Sequence, residues 1–260
     1  MTSFDRIAHC YDETRAIPPA ACAAVVAAIA GVLRRRASHP FLLEIGVGTG
    51  RIAVPLADAG VDLVGVDIAP AMLARLRARR PDLPVLRAAA AELPFRPGTF
   101  DAVLFVHVLH LLSDANAALR AARRVTRPGG VLLYGQEEFP NAPLRPVIAM
   151  MRTLVAELAG VDLDPRSPRE RAREAFAADA REAGVELEEI VAARWTVEMV
   201  ARRLIASVEE KLWSSTWDIP DAIMPELIRR LTPQLEALVG DLDRPTVHEA
   251  VFLLTIARCP

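Results

Sequence analysis

Short apolar runs alternate with helical stretches through the first half of this chain. Five such runs predict strands at residues 41–45, 61–67, 85–90, 101–108 and 131–135. The stretches between them predict helices near residues 20–33, 51–58, 70–80 and 113–125. Since the runs are too apolar to leave one face in water, we predict a parallel sheet covered by helices on both faces.

The pattern changes after the fifth predicted strand. It predicts helices over residues 142–183, 196–212 and 220–240, and strands over residues 185–195 and 248–258. Pro165 and Pro168 interrupt the first of these helices. The prediction for the whole chain is an α/β fold with a doubly wound, mostly parallel seven-stranded sheet and a helical cap inserted after the fifth strand.

A glycine-rich loop and an acidic residue together indicate a ligand site. The segment Glu44-Ile45-Gly46-Val47-Gly48-Thr49-Gly50 follows the first predicted strand, and Asp67 ends the second. Glycines let the backbone approach a ligand closely, and a carboxylate at this position can accept hydrogen bonds from both ribose hydroxyls. The pattern predicts a nucleotide-like ligand; the alternative is a tight turn in a protein that binds no nucleotide.

The order of the glycines favours S-adenosylmethionine over a nicotinamide dinucleotide. NAD sites favour G-x-G-x-x-G, whereas this loop is E-x-G-x-G-x-G followed by Arg51 and Ile52. Neither Tyr11 nor Tyr134 has a lysine four residues later, so the Tyr/Lys pair of short-chain dehydrogenases is absent. A nicotinamide oxidoreductase is therefore the weaker hypothesis.

Composition limits the classes of binding partner and the cellular compartment that we expect. Hydrophobic residues make up 52% of the 260 residues and the formal net charge is −2, which argues against nucleic acid or an acidic membrane as partner. Cys10, Cys22 and Cys259 are too widely spaced to indicate a zinc site or disulfides. The first residues lack signal-peptide features, and Ala20–Leu33 is too short to span a bilayer, so we expect a cytoplasmic protein. We also expect no metal site.

Four ordered segments resemble the class I S-adenosylmethionine-dependent methyltransferases, and within them the broad methyltransferase type 11 group. They are the loop Leu43–Ile52, the segment Val64–Leu73 around Asp67, the fourth-strand segment Phe100–His110 and the turn Val125–Gly130. The resemblance covers residues 4–135 by motif and the remainder by general layout. It implies a Rossmann-like fold, S-adenosylmethionine as cofactor and methyl transfer to an acceptor.

The same resemblance implies cofactor-binding roles for Tyr11, Arg15, Glu44, Gly46, Val47, Gly48, Gly50, Asp67, Ile68, Met72, Ala89, Ala90, Val106 and His107. The loop backbone and Glu44 would lie at the methionine end, and Asp67 would hold the ribose. Ile68 and Met72 would pack on the adenine, although ordinary core packing explains them equally well without the resemblance. A backbone group near Val106 would meet the methionine ammonium.

One position departs from the family pattern. Family members usually carry Asp-Ala before the Leu-Pro-Phe loop, and the aspartate reaches the adenine amine. Here Ala89 occupies that position, while a backbone contact from Ala90 remains and Glu92 is a candidate substitute. We predict weaker adenine discrimination with binding retained, because a neutral hydrogen bond contributes about 0.5–1.5 kcal/mol net.

The N-terminal segment Phe4–Arg15 is also similar to the family, whose members fold a Y-D-x-x-R element over the cofactor as a lid. Tyr11 would then cover the sulfonium or carboxylate end, and Arg15 would pair with the carboxylate. The alternative is a surface helix with solvated charges. We expect a single domain with a lid at 1–36, a cofactor-binding core at 37–137, cap regions at 138–184 and 196–247, and the last strand at 248–260.

Methyl transfer from a sulfonium mainly requires an aligned nucleophile and exclusion of water. His107 is the candidate general base, because it ends the fourth strand and imidazole exchanges protons near neutral pH; packing beside the cofactor is an equal alternative. His110 is expected to be structural or solvent-facing. Trp213 and Trp217 either line an acceptor pocket or, by slight preference, pack the cap onto the sheet.

Two functions follow from these observations. The first is methyl transfer from S-adenosylmethionine to a small-molecule acceptor by in-line displacement, which releases S-adenosylhomocysteine. The alternative is a catalytically weak module that binds either compound in a regulatory role, and the departure at Ala89 gives that alternative some weight. The sequence predicts neither the acceptor nor the oligomeric state.

Overall fold

The computed structural model describes residues 4–8, 11–142, 144–161, 164 and 166–260. The strands of this described part form one sheet: β1 Phe41–Ile45, β2 Asp62–Asp67, β3 Val85–Arg87, β4 Phe100–Val106, β5 Thr126–Glu138, β6 Leu187–Met199 and β7 Thr246–Arg258. Their order is β3-β2-β1-β4-β5-β7-β6. Strands β1 to β5 are parallel, and β7 is antiparallel to both β5 and β6. The predicted mostly parallel seven-stranded sheet is confirmed.

The helices are α1 Tyr11–Thr14, α2 Pro19–Arg34, α3 Ala53–Asp58, α4 Pro70–Arg79, α5 Ala115–Val125, α6 Leu144–Ala159, α7 Pro168–Glu182, α8 Ala201–Glu209 and α9 Met224–Val239. Short 3-10 helices lie at Phe4–Ile7, Leu109–Leu111, Ser214–Thr216 and Asp221–Ile223. Among these described helices, none is long and apolar enough to cross a membrane.

Successive strand residues point to opposite faces of the sheet and fill two separate cores. Leu42 and Leu104 pack with α2, α3 and α4 on one face, whereas Leu43 and Phe105 pack with α5 and α7 on the other. Fully burying one such side chain contributes about 1.5–3 kcal/mol. Both faces are therefore covered, as the apolar runs predict.

The cap consists of α6, α8 and α9, which follow β5 and share apolar clusters of their own, including Met151, Val208 and Leu227. Helix α7 falls within the predicted cap region but covers the sheet instead, because Ala172, Phe176 and Ala180 join the core beside β4 and β5. Helix α2 falls within the predicted lid region and packs against β6 and α3. Only the residues before α2 could therefore form the predicted lid over the cofactor site.

Several predicted element boundaries are wrong. Residues 196–199 continue β6 and are not helical, because pairing with β7 extends from Thr196–Glu249 to Met199–Thr246. Strand β3 ends at Arg87, opposite the last residue of β2, and does not reach residue 90. The N-cap of α5 is Asp114 rather than Ser113, because the Asp114 carboxylate accepts a hydrogen bond from Ala117 N at 2.8 Å.

Candidate functional site

The glycine loop turns sharply from β1 over the end of β2. The amides of Gly46 and Val47 both donate to Val66 O, at 2.8 and 3.0 Å. Gly46 has a φ of 73°, and a Cβ there would collide with the side chain of Val108. Only glycine is compatible with this positive φ and this close approach. At Gly46 the loop therefore presents bare backbone.

Asp67 lies at the carboxyl end of β2, directly beside this loop. Its Oδ2 accepts a hydrogen bond from Gly48 N and its Oδ1 accepts one from Ala69 N, each at 2.8 Å. Burial raises the pKa of Asp67, and these backbone hydrogen bonds act against that rise. Each carboxylate oxygen has a second lone pair, so Asp67 can still accept hydrogen bonds from two hydroxyls.

Glu44 on β1 is a buried carboxyl without a complete set of partners. Its side chain lies under the loop with the residue 2% exposed, and among the described residues Oε2 has no hydrogen-bond partner. Burial raises the pKa of Glu44 to about 8, although Arg51 opposes the shift. An orphaned buried oxygen is costly unless a ligand supplies a donor or a positive charge. An ammonium group at this position would meet both needs.

The residues predicted for the adenine border this loop on the other side. Ile68 is 37% exposed, whereas Met72 is buried and packs with Ala69. Ala89 and Ala90 are half-buried in the turn after β3, and Ala89 O accepts a hydrogen bond from Glu92 N at 3.0 Å. An apolar side chain therefore faces outward next to an alanine turn that offers no side-chain acceptor.

The N-terminal segment lies over the loop and connects it to the cap. Asp5 accepts a hydrogen bond from Ala71 N at 2.8 Å, and Thr49 donates to Asp12. Arg15 donates to Leu212 O at 3.3 Å, which joins the segment to the cap. Burial raises the pKa of Tyr11 and lowers that of Arg15. Both residues are half-buried, and their role as a lid stays a prediction.

The two tryptophans of the cap pack rather than line an open pocket. Trp217 is buried, and its Nε1 donates to Lys211 O at 2.8 Å. Its ring meets Phe4 edge-on, with centroids 4.7 Å apart. Trp213 packs against the apolar cluster of α6 and α9. Both tryptophans therefore pack, Trp213 inside the cap and Trp217 against Phe4 of the N-terminal segment.

A charged network closes the carboxyl ends of β4 and β5. Val106 is buried at the end of β4, and His107 follows with a φ of 52°, a strained conformation for a residue other than glycine. His107 Nε2 lies 3.3 Å from both the backbone N and Oε1 of Glu137. Arg51 Nη1 lies 2.7 Å from the same Oε1 and also donates to Arg15 O at 2.6 Å.

Protonation in this network follows from burial and pairing. Burial lowers the pKa of His107 to about 4, despite the nearby Glu137. Burial alone would raise the pKa of Glu137, but its contacts with His107 and Arg51 hold it below the ordinary value. Near neutral pH the imidazole is therefore neutral and the carboxylate ionised. Glu137 engages Nε2, so Nδ1 is the ring atom left for a ligand.

The importance of Arg51 and the pairing of Glu137 with His107 were not predicted from the sequence. The one available signal is position, because Arg51 ends the glycine loop and Glu137 lies near the end of the fifth strand. Among the described residues, no group of three or more His, Cys, Asp or Glu side chains could hold a metal ion.

Comparison with known proteins agrees with this geometry. Residues 43–134 match the family described as methyltransferase domain. A demethylmenaquinone methyltransferase of Beutenbergia cavernae is 40% identical over 122 residues, which are 45% of this chain and 50% of that protein. This chain therefore spans about half of the length of that relative.

Solved structures extend the likeness over most of the fold. The YcgJ protein of Bacillus subtilis has a TM-score of 0.57 at 17% identity, covering 90% of this chain and 98% of that one. A putative methyltransferase of Bacillus halodurans has a TM-score of 0.58 at 18% identity, covering 89% and 98%. Residues 43–134 therefore match a methyltransferase domain, and the chain shares the fold of these solved structures.

Proposed function

We propose that this protein transfers the methyl group of S-adenosylmethionine to a small-molecule acceptor and releases S-adenosylhomocysteine. The observation that carries this proposal is the convergence of three features at one edge of the sheet. They are the glycine loop, the carboxylate of Asp67 and the orphaned oxygen of Glu44. The glycine loop allows close approach of a ligand, Asp67 can bind a ribose, and Glu44 can bind an ammonium group. The residues present therefore fit S-adenosylmethionine.

Each residue has a distinct task in this proposal. Glu44 and the loop backbone hold the methionine end, and Arg15 pairs with its carboxylate. Asp67 holds the ribose, while Ile68 and the turn at Ala89 border the adenine. When bound, the cofactor supplies an electrophilic methyl group on a sulfonium.

The chain's own contribution to the reaction is alignment and exclusion of water. Phe4, Trp217 and Tyr11 close the N-terminal segment over the site. The Glu137 amide donates to His107 Nε2 at 3.3 Å, so in this arrangement Nε2 is an acceptor and the neutral ring carries its proton on Nδ1, from which it can donate to a ligand. With a pKa of about 4 it is a weak base. We therefore propose that His107 chiefly positions the acceptor.

A small organic acceptor is supported by the composition. The net charge of −2 is not that of a nucleic-acid-binding protein. The family match ends at Tyr134, before the cap begins, so we do not extend the relatives' substrate to this chain.

Calorimetry with S-adenosylmethionine, S-adenosylhomocysteine and NAD tests the binding half of this proposal. Asp67→Ala should weaken binding of the first two at least ten-fold, on the order of 1.4 kcal/mol. Asp62→Ala, at the opposite end of the same strand, should leave affinity unchanged and is the matched control. NAD binding without S-adenosylmethionine binding would contradict the proposal.

Methyl transfer from labelled donor to a pool of metabolites tests the catalytic half. Binding without any transfer would favour the alternative function, a regulatory module that retains the cofactor site. The observation that favours this alternative is Ala89, which leaves the adenine edge without its usual acceptor.

A further inference from the structure

Three arginines surround the network of His107 and Glu137. Arg51 pairs with the Glu137 carboxylate, and Arg15 lies against Arg51 through its own carbonyl. Arg169, on the first turn of α7, donates from Nη1 to Glu137 O at 3.3 Å. The Glu137 carboxylate pairs with Arg51, while Arg15 and Arg169 join the network through backbone carbonyls, so three arginines and one carboxylate leave an excess of positive charge.

The neighbouring histidines do not change this balance. His110 lies half-buried in the turn Leu109–Leu111, against which α7 packs. Burial lowers the pKa of His110 to about 3, and Arg169 and His107 lower it further. Both imidazoles are therefore neutral near pH 7, and both can donate or accept a hydrogen bond.

The carboxylates of Glu138 and Glu170 already have other partners. Glu138 pairs with Arg145 and Arg173, and the Glu170 side chain accepts a hydrogen bond from the N-cap amide of its own helix. Within the described ranges, Arg169 makes one hydrogen bond, to a carbonyl, and no ion pair. Arg169 is exposed to solvent.

The proposed cofactor would not neutralise this excess. S-adenosylmethionine carries one carboxylate, which Arg15 would take, together with one ammonium and one sulfonium. Arg169 would then remain without a counter-charge, on the acceptor side of His107. A guanidinium in this position recognises a carboxylate or phosphate through two parallel hydrogen bonds.

We propose that Arg169, together with His110, binds an oxyanion on the acceptor, so that the acceptor is a small organic acid. This inference rests on the proposed function, since it takes the space between His107 and α7 as the acceptor side. Its chemistry is separate from the cofactor site, because Arg169 contacts neither the glycine loop nor Asp67 in the described structure.

Calorimetry on protein loaded with S-adenosylhomocysteine tests the inference. The probes are 4-hydroxybenzoate, phenyl phosphate and the neutral 4-hydroxybenzamide. An anion should bind at least ten-fold more tightly than the amide, and Arg169→Gln should abolish that preference, since hydrogen bonds to charged groups are worth about ten-fold or more. Whichever anion binds more tightly identifies the oxyanion as carboxylate or phosphate.

Arg171→Gln is the matched control. It lies on the same helix, where its Nη1 donates to Arg166 O at 3.0 Å, away from Glu137. Equal binding of acid and amide, no binding of any probe, or equal effects of the two variants would overturn the inference. Arg169→Gln should leave S-adenosylhomocysteine affinity unchanged. If the wild type binds no S-adenosylhomocysteine, the proposed function fails by itself, and the same anion comparison on free protein decides the role of Arg169.

Discussion

Arg51 Nη1 lies 2.7 Å from Glu137 Oε1, and this contact joins the end of the glycine loop to the end of β5. Both side chains are largely buried, at 14% and 13% exposed. The pair therefore connects the glycine loop to the carboxyl ends of β4 and β5, where His107 lies. The same carboxylate oxygen lies 3.3 Å from His107 Nε2, so the pair also contacts the imidazole.

Arg51→Met should destabilise the fold by about 3 kcal/mol, because it leaves Glu137 buried and without its guanidinium. The free energy of unfolding from urea titration measures this effect. Arg145→Met is the control, since its pair with Glu138 is exposed on the arginine side and is expected to contribute below about 1 kcal/mol. Equal losses in the two variants would contradict a special role for the buried pair.

His107 should make stability depend on pH in the acid range. Its pKa is about 4 in the folded chain and near 6.5 when unfolded, so the unfolded state binds more protons between these values. Its contribution is present above pH 6.5 and is lost as the pH falls toward 4. Urea titrations at several pH values should show a shallower loss for His107→Asn than for wild type. The exposed His39→Asn should match the wild type.

Glu44 should make cofactor affinity depend on pH in the neutral to mildly alkaline range. Its pKa is about 8, so the carboxyl is mostly protonated at pH 7 and must ionise to face an ammonium. S-adenosylmethionine affinity should therefore rise between pH 6.5 and 8.5, with a proton released on binding. Calorimetry in buffers of different ionisation enthalpy measures that proton. Glu44→Gln should bind more weakly and lose the pH dependence; an unchanged slope would argue against Glu44 as the ammonium partner.

Ala89→Asp should tighten S-adenosylmethionine binding by restoring the adenine acceptor. The expected gain is about 0.5–1.5 kcal/mol, or roughly two- to ten-fold in affinity. Calorimetry against wild type measures it, with the exposed Ala91→Asp as control for added negative charge. No change at residue 89 would mean that the turn lies away from the adenine.

The residues proposed to bind the cofactor could be predicted from the sequence because they are close together along the chain. Glu44 to Gly50 form one turn, and Asp67 ends the next strand, so periodicity and spacing are enough to bring them together. The parallel, doubly covered sheet follows from the sequence too, since the apolar runs must be buried on both faces. Errors occurred where pairing extends or ends a strand, as at residues 196–199 and 88–90, because a strand partner is not a local property.

By itself the sequence determined the fold class, the glycine loop, the acid at Asp67 and the departure at Ala89. Only the tertiary structure decided which charges meet, because Arg51, Glu137 and Arg169 are separated by long stretches of chain and no spacing rule relates them. The same holds for the neutral state of His107, which follows from burial by segments distant in sequence. Burial and long-range pairing set these properties, and both arise only once the sheet has brought its carboxyl ends together.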